Sequence, residues 1–175
     1  GQVQRVDVKR GEVETLFGTI HKASVLNVIP PQRAGIITER AGVADASGWV
    51  PVHPDGFESR QVKDIYVLGD ATIAAPMPKS GFVANVQWRM AAGVIAADLT
   101  GLPRPKPTYA NTCYSLVAPG YAISVSGLYE AKDDQLVELP GLGTSPLDAD
   151  SAYRAQEASN SMGWYESIST EIWDQ

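Results

Sequence analysis

"VLGDATIAAPMPKSG", residues 67–81, is the stretch on which the reading of this chain turns. It joins the apolar run Ile65, Val67 and Leu68 to Gly69-Asp70, then to a proline-rich loop, then to Ser80-Gly81. The run "DIYVLGD" predicts the clearest buried strand in the sequence. A carboxylate at the carboxyl end of such a strand stands where open α/β sheets hold their ligands. Gly69 lets a ligand come close to the backbone. Asp70 can accept hydrogen bonds from sugar-like hydroxyls. The helix start at Ser80-Gly81 offers unpaired N–H groups and the positive end of the helix dipole, which favour an anionic or electron-rich oxygen. A dinucleotide-like cofactor with a polyol chain and a carbonyl-bearing ring satisfies both features. Taken alone, Gly69-Asp70 reads first as a carboxylate that caps a turn; the preceding strand, the proline loop and the small-residue helix bring the ligand reading level with it.

Working outward, "SGFVANVQWRMAAGVIAADLTG" is the clearest helix, with Ser80 as N-cap and Gly101 as C-terminal stop. Its Gly81, Ala84, Ala91, Ala92, Gly93, Ala96 and Ala97 leave room for a neighbouring backbone, and Trp88 is expected in the core. Upstream, Val3 to Gly18 alternates around Arg10-Gly11 and predicts a β-hairpin. Ala23 to Ile29 predicts a buried strand that Pro30-Pro31 end, because proline has no N–H for a ladder. "AGIITERAGVAD" fits a short helix or an irregular turn, and "GWVPVHPDGFES" fits short extended pieces between turns. "GLPRPKPTYA" reads as a linker. "TCYSLVAPGYAISVSGLYE" gives two strands broken at Pro119-Gly120, with "EAKDD" as a solvated turn and "DDQLVELPGLG" as a further strand. A helix capped by Asp150 or Ser151 follows, then an aromatic-rich tail with Trp164, Tyr165 and Trp173.

The 175 residues suffice for one ordinary domain or two small ones. With 44% hydrophobic and 19% charged residues the composition is that of a packed, soluble protein. A net charge of −6 and a pI near 4.8 argue against nucleic-acid binding, which needs a basic face. No apolar run reaches the ~18 residues of a spanning helix. The lone Cys113 has no internal disulfide partner. His21 and His53 lack metal-ligand spacing, and His53, in a turn, is expected at the surface.

"DIYVLGDA" resembles the second FAD-binding motif of two-dinucleotide-domain flavoproteins such as the glutathione-reductase-like enzymes. That resemblance implies that Asp70 meets the ribityl chain of FAD, and that backbone around Ser80, Gly81 and Phe82 faces the pyrimidine edge of the flavin. Gly69 and Lys79 join the implied cofactor set, Lys79 facing either flavin or solvent. Together, "VLNVIPPQRAG", "GWVPV", "DIYVLGDATIAAPMPKSGFVANVQ" and "NTCYSLVAPGYAISVSGLY" resemble the flavoprotein subunit of flavocytochrome c sulfide dehydrogenase, whose cousins are the sulfide:quinone oxidoreductases. This implies an α/β chain, the C-terminal part of an FAD-dependent oxidoreductase. Residues 1–103 would end the middle domain and close the FAD domain; 104–175 would form the C-terminal interface domain. It also implies that Cys113 is the second of a redox-active cysteine pair, that Trp164 approaches the flavin, that a c-type cytochrome accepts the electrons, and that the compartment is periplasmic.

Two departures accompany the resemblance. No G-x-G-x-x-G, the pyrophosphate-binding fingerprint, occurs here, and the partner cysteine is absent. Both are expected upstream, in an N-terminal flavoprotein portion that would complete the site. A quinone-linked enzyme is the nearest alternative, although the acidic tail "MGWYESISTEIWDQ" suits an anionic membrane surface poorly. A non-catalytic interaction module that keeps the scaffold is the other.

Overall fold

The computed structural model describes residues 2–173, and the chain divides into two compact units, one running to Arg33 and one from Ala34. In the first, β1 (Val3–Asp7), β2 (Glu12–Thr15) and β3 (Ile20–Lys22) form an antiparallel meander. The predicted hairpin is β1–β2, with Val6 opposite Val13. Gly11, at φ +65°, makes its turn; a Cβ there would stand 3.0 Å from the Ala23 carbonyl oxygen. The strand expected over Ala23–Ile29 is absent. Ala23 N–H bonds Gly11 O at 3.2 Å and pairing stops there, leaving Val25 and Ile29 exposed. An apolar run becomes a strand only beside a ladder partner, and the described residues give it none.

The second unit contains α1 (Ile36–Arg40), β4 (Val50–Pro51), β5 (Thr72–Ile73), α2 (Gly81–Thr100), the strands β6 (Thr108–Ala118), β7 (Tyr121–Lys132) and β8 (Gln135–Leu139), and α3 (Ser151–Trp173). The mixture of helix and sheet makes this an α/β chain. β4 and β5 pair in parallel, whereas β6, β7 and β8 form an antiparallel sheet in that order. The "DIYVLGD" segment is not a strand. It is extended, touches the chain through single bridges such as Glu58 to Tyr66, and ends in a 3₁₀ turn over Gly69–Ala71. Its apolar residues Ile65, Val67 and Leu68 pack against the core but are only half-buried, so apolarity marked a core contact without marking a ladder or full burial.

α2 is built as its sequence signals require. Ser80 Oγ accepts the Val83 N–H at 3.1 Å, and Gly101, at φ +73°, turns the chain out in the left-handed region. Its buried residues, Val83, Gln87, Ala91, Val94 and Ala97, recur at three- and four-residue spacing and form a single stripe. Trp88 is exposed rather than in the core. One residue beyond Gln87 means about 100° around the helix, which carries the indole off the stripe. The helix lies close to the preceding loop, where a Cβ on Gly56 would meet Val94 Cγ1 at 3.0 Å.

The core combines Val43, Val50, Val52, Phe57, Ala74, Met77 and Val83 with Tyr109 and Tyr129 of the antiparallel sheet. Phe57 and Tyr109 meet edge to face at 5.2 Å, and the Tyr109 hydroxyl donates to Pro54 O at 2.5 Å. Burial pushes the Tyr109 phenol well above its ordinary range. Phe57 itself sits at φ +65°, a conformation costing a residue with a Cβ roughly 1–2 kcal/mol. Complete burial of its ring and two backbone bonds, to His53 O and from Val67 N, hold it there.

The rest of the polar chemistry follows the same pattern. The "EAKDD" turn takes positive φ at Asp133 and Asp134, as a two-residue hairpin requires. Asp134 stays exposed, as a solvated turn would have it, while Arg60 Nη1 and Nη2 donate to its carboxylate at 2.8 and 3.0 Å and the partly exposed His53 faces it at 3.5 Å. The "PRPKP" stretch is pinned by Arg104, which forks onto Asp98 at 2.7 Å through both nitrogens.

Alternation on β6 places Tyr109, Asn111 and Cys113 on the face toward α2, and their neighbours on the opposite face toward α3. On that second face Ser124 Oγ donates to Glu157 at 2.7 Å, Ser145 Oγ donates to the same carboxylate, and Arg154 Nη1 pairs with it at 3.0 Å. Arg154 and Glu157 are both nearly inaccessible to solvent. α3 does not stop before its aromatic residues, as expected from the sequence, but continues as helix through Trp164 to Trp173.

Burial alone would raise the Glu157 carboxyl, yet the hydrogen bonds from Ser145, Ser124 and Arg154 outweigh it and hold the group below its usual range. A depressed folded pKa stabilises the fold above the unfolded value near 4.5, and that contribution is lost as pH falls through the folded pKa. Glu157→Gln should therefore lower stability at neutral pH by roughly 3–5 kcal/mol, because it leaves Arg154 buried without its partner. It should also flatten the acid limb of the unfolding free energy. Urea titrations from pH 3 to pH 7 measure both effects.

Candidate functional site

The N-terminus of α2 gathers most of the residues singled out in the sequence. Ser80 caps it twice: Oγ accepts from Val83 N, and the Ser80 carbonyl accepts from Ala84 N at 3.0 Å. The Ser80 hydroxyl proton goes across to β6, where Asn111 Oδ1 accepts it at 2.8 Å. Cys113, two residues along the same strand face, points its thiol at that same oxygen at 3.4 Å. Asn111 Nδ2 donates to Val125 O at 3.4 Å. The sulfur is thus joined to the helix cap through one amide, and is half-buried beside it.

Gly81 and Phe82 form the first turn of α2. Trp164 of α3 lies nearly parallel to Phe82, ring centres 5.8 Å apart and planes 21° apart, and its Cη2 would contact a Cβ placed on Gly81 at 3.8 Å. Glu171 holds the later turns of α3 against α2 by accepting from Asn85 Nδ2 at 3.0 Å and pairing with Arg89 at 2.5 Å. The bonds from Asn85 and then Arg89 keep its carboxyl below the usual range.

Gly69 and Asp70 are positioned from α2 as well. Gly69, at φ +68°, packs so close to the helix that a Cβ there would meet Ala84 Cβ at 3.3 Å. Its N–H donates to Gln87 Oε1 at 2.6 Å, and its carbonyl accepts from Thr72 Oγ1 at 2.9 Å. Asp70 follows on an exposed turn, and its carboxylate accepts no hydrogen bond among the described residues. Lys79 is committed to its own loop. Nζ donates to the backbone oxygens of Asp70 and Thr72 and lies 3.9 Å from the centre of the Trp49 ring. Burial lowers the Lys79 pKa, and the Asp70 charge opposes that shift.

The geometry therefore brings Ser80, Gly81, Phe82, Trp164 and Cys113 to one end of α2, while Gly69, Asp70 and Lys79 form the loop leading into it. Two buried polar residues that organise the site were not singled out in the sequence: Asn111 and Gln87. Each interrupts an otherwise apolar register, Asn111 on the β6 face and Gln87 on the α2 stripe, which is the signal that could have found them.

An exposed carboxylate, first-turn N–H groups, an aromatic pair and a thiol joined to the helix cap through Asn111 are groups that a flavin with its polyol chain can engage. Residues 105–173 match the family model described as flavocytochrome c sulphide dehydrogenase, flavin-binding. The match runs from the linker through β6, β7 and β8 to the end of α3 and contains Cys113 and Trp164. This part of the chain is thereby similar to the flavin-binding region of that family, and a flavin such as FAD is the cofactor the match points to.

Replacing Gln87 with Met keeps its volume and removes the acceptor for the Gly69 N–H. We expect a loss of about 1–3 kcal/mol in urea unfolding, the cost of a buried donor left unpaired.

Proposed function

We propose that these residues belong to a flavocytochrome c sulphide dehydrogenase, to whose flavin-binding region residues 105–173 are similar, and serve an FAD-dependent sulfide oxidation that ends on a c-type cytochrome. The observation that supports this most directly is the position of Cys113 in the matched segment, tied through Asn111 to the α2 N-terminus. Bound FAD would supply two-electron acceptance and one-electron delivery. Asp70 would hold its polyol chain, with Gly69 giving the backbone clearance. The first-turn N–H groups at Gly81 and Phe82 would favour negative charge on a ring oxygen. Trp164, with Phe82, would exclude water from one side.

Cys113 would work as half of a disulfide, its partner sulfur supplied by a cysteine outside these 175 residues. Hydrosulfide attacks one sulfur of that bond; the new S–S bond makes a persulfide, and the broken one releases a thiolate. The electron pair that leaves with oxidation of the sulfide is thereby stored on the released thiolate sulfur. An oxidised cysteine pair suits a periplasmic setting. In this scheme residues 1–103 close the FAD domain, and residues 104–175 cover the flavin and face the electron acceptor. Among the described residues no helix is long and apolar enough to cross a membrane.

The test uses the intact flavin-loaded protein. Sulfide added under anaerobic conditions should bleach the flavin absorbance, and Cys113→Ser should slow that bleaching by at least about 100-fold. Wild-type bleaching in Cys113→Ser would remove the cysteine from the reaction. Asp70→Ala should weaken FAD retention on dialysis by roughly 10- to 100-fold, as loss of a charged hydrogen bond predicts.

A further inference from the structure

We propose that Asn111 is a positioning residue that holds the Cys113 sulfur in place and couples it to the Ser80 cap. The proposal rests on the functional reading of Cys113 given above. Asn111 is 2% exposed, and every polar atom of its side chain is engaged. Its orientation follows from its partners. Ser80 Oγ receives the Val83 N–H, so its one proton must be donated elsewhere, and Asn111 Oδ1 takes it. The Nδ2 end donates to Val125 O. Turning the amide over would set its NH₂ against the Ser80 proton and its oxygen against the Val125 oxygen. Cys113 Sγ therefore faces an acceptor, and the bond between them exists only while sulfur carries its proton.

Two consequences follow. The sulfur is held toward Asn111, whose amide oxygen also takes the proton of the Ser80 cap at the start of α2. And any reaction of Cys113 as a thiolate must first give up the bond to Asn111. Ser80 acts on the sulfur without touching it, because its hydroxyl proton fixes which end of the amide the sulfur meets. The strand register supports the arrangement: Asn111 lies opposite Gly127 and Cys113 opposite Val125, so both side chains leave β6 toward α2.

The experiment measures the rate at which iodoacetamide alkylates Cys113 in the reduced intact protein at fixed pH, followed by peptide mass spectrometry. Asn111→Ala should raise that rate by roughly two- to tenfold, the factor to which one hydrogen bond converts. Ser80→Asp keeps an acceptor for Val83 N–H but has no proton for Asn111, and should raise the rate in the same direction. Ser80→Thr keeps the proton and should restore the wild-type rate. The Asn111→Ala, Ser80→Asp double variant should react no faster than Asn111→Ala alone. Rates unchanged in both single variants would overturn the proposal, as would increases that merely track a lowered urea midpoint. Because alkylation needs no flavin, a relay found in protein that fails to oxidise sulfide would sink the functional reading and leave the relay standing. An unaffected rate in protein that does oxidise sulfide would sink the relay alone.

Discussion

The hydrogen bond from Ser80 to Asn111 is the constraint on which the site depends. One hydroxyl terminates the α2 backbone ladder on one side and fixes a buried amide on the other. A Ser N-cap contributes typically about 1 kcal/mol to a helix, and here the same atom also sets the rotation of a side chain on a different element. α2, the Gly69 turn and β6 are thereby locked in a common frame: Gln87 reaches back to Gly69, and Asn111 reaches across from β6. The frame places a thiol, a helix N-terminus, an aromatic pair and an outward carboxylate around one end of one helix.

How much of this was legible depended on the range of the interaction. α2 was readable at both ends because caps are local: Ser80 and Gly101 act within a turn of themselves. The β6–β7 hairpin was readable because alternation and Pro119-Gly120 are local as well. Ala23–Ile29 and "DIYVLGD" were not, because each has strand composition and neither has a partner strand among the described residues. In the second, the apolar side chains still pack against the core half-buried, so contact with the core survived where pairing did not. Trp88 shows the same limit, since its fate hangs on a 100° step that composition does not register.

The site was legible in its residue types and not in its wiring. Asp70, Ser80 and Cys113 stand out in sequence because each bears a group with evident chemistry. Asn111 and Gln87 do not, since amides are commonplace and only a third dimension reveals what they join. Lys79 illustrates the reverse. A cation one residue ahead of a helix cap invites a role toward a ligand, whereas the fold occupies its donors with two carbonyls of its own loop and rests it on Trp49.

The glycine at position 127 carries a consequence for the sheet. A Cβ there would lie 2.2 Å from the Tyr129 hydroxyl and 2.7 Å from the carbon bearing it, so the phenol ring folds back along its own strand and fills the space that a side chain at 127 would need. Tyr129 is in turn a core residue, 4% exposed. The two positions form one volume shared by two residues, a lock whose key and keyhole lie on the same strand. Enlarging the first evicts the second from the interior, so this patch of β7 can change only by paired replacement.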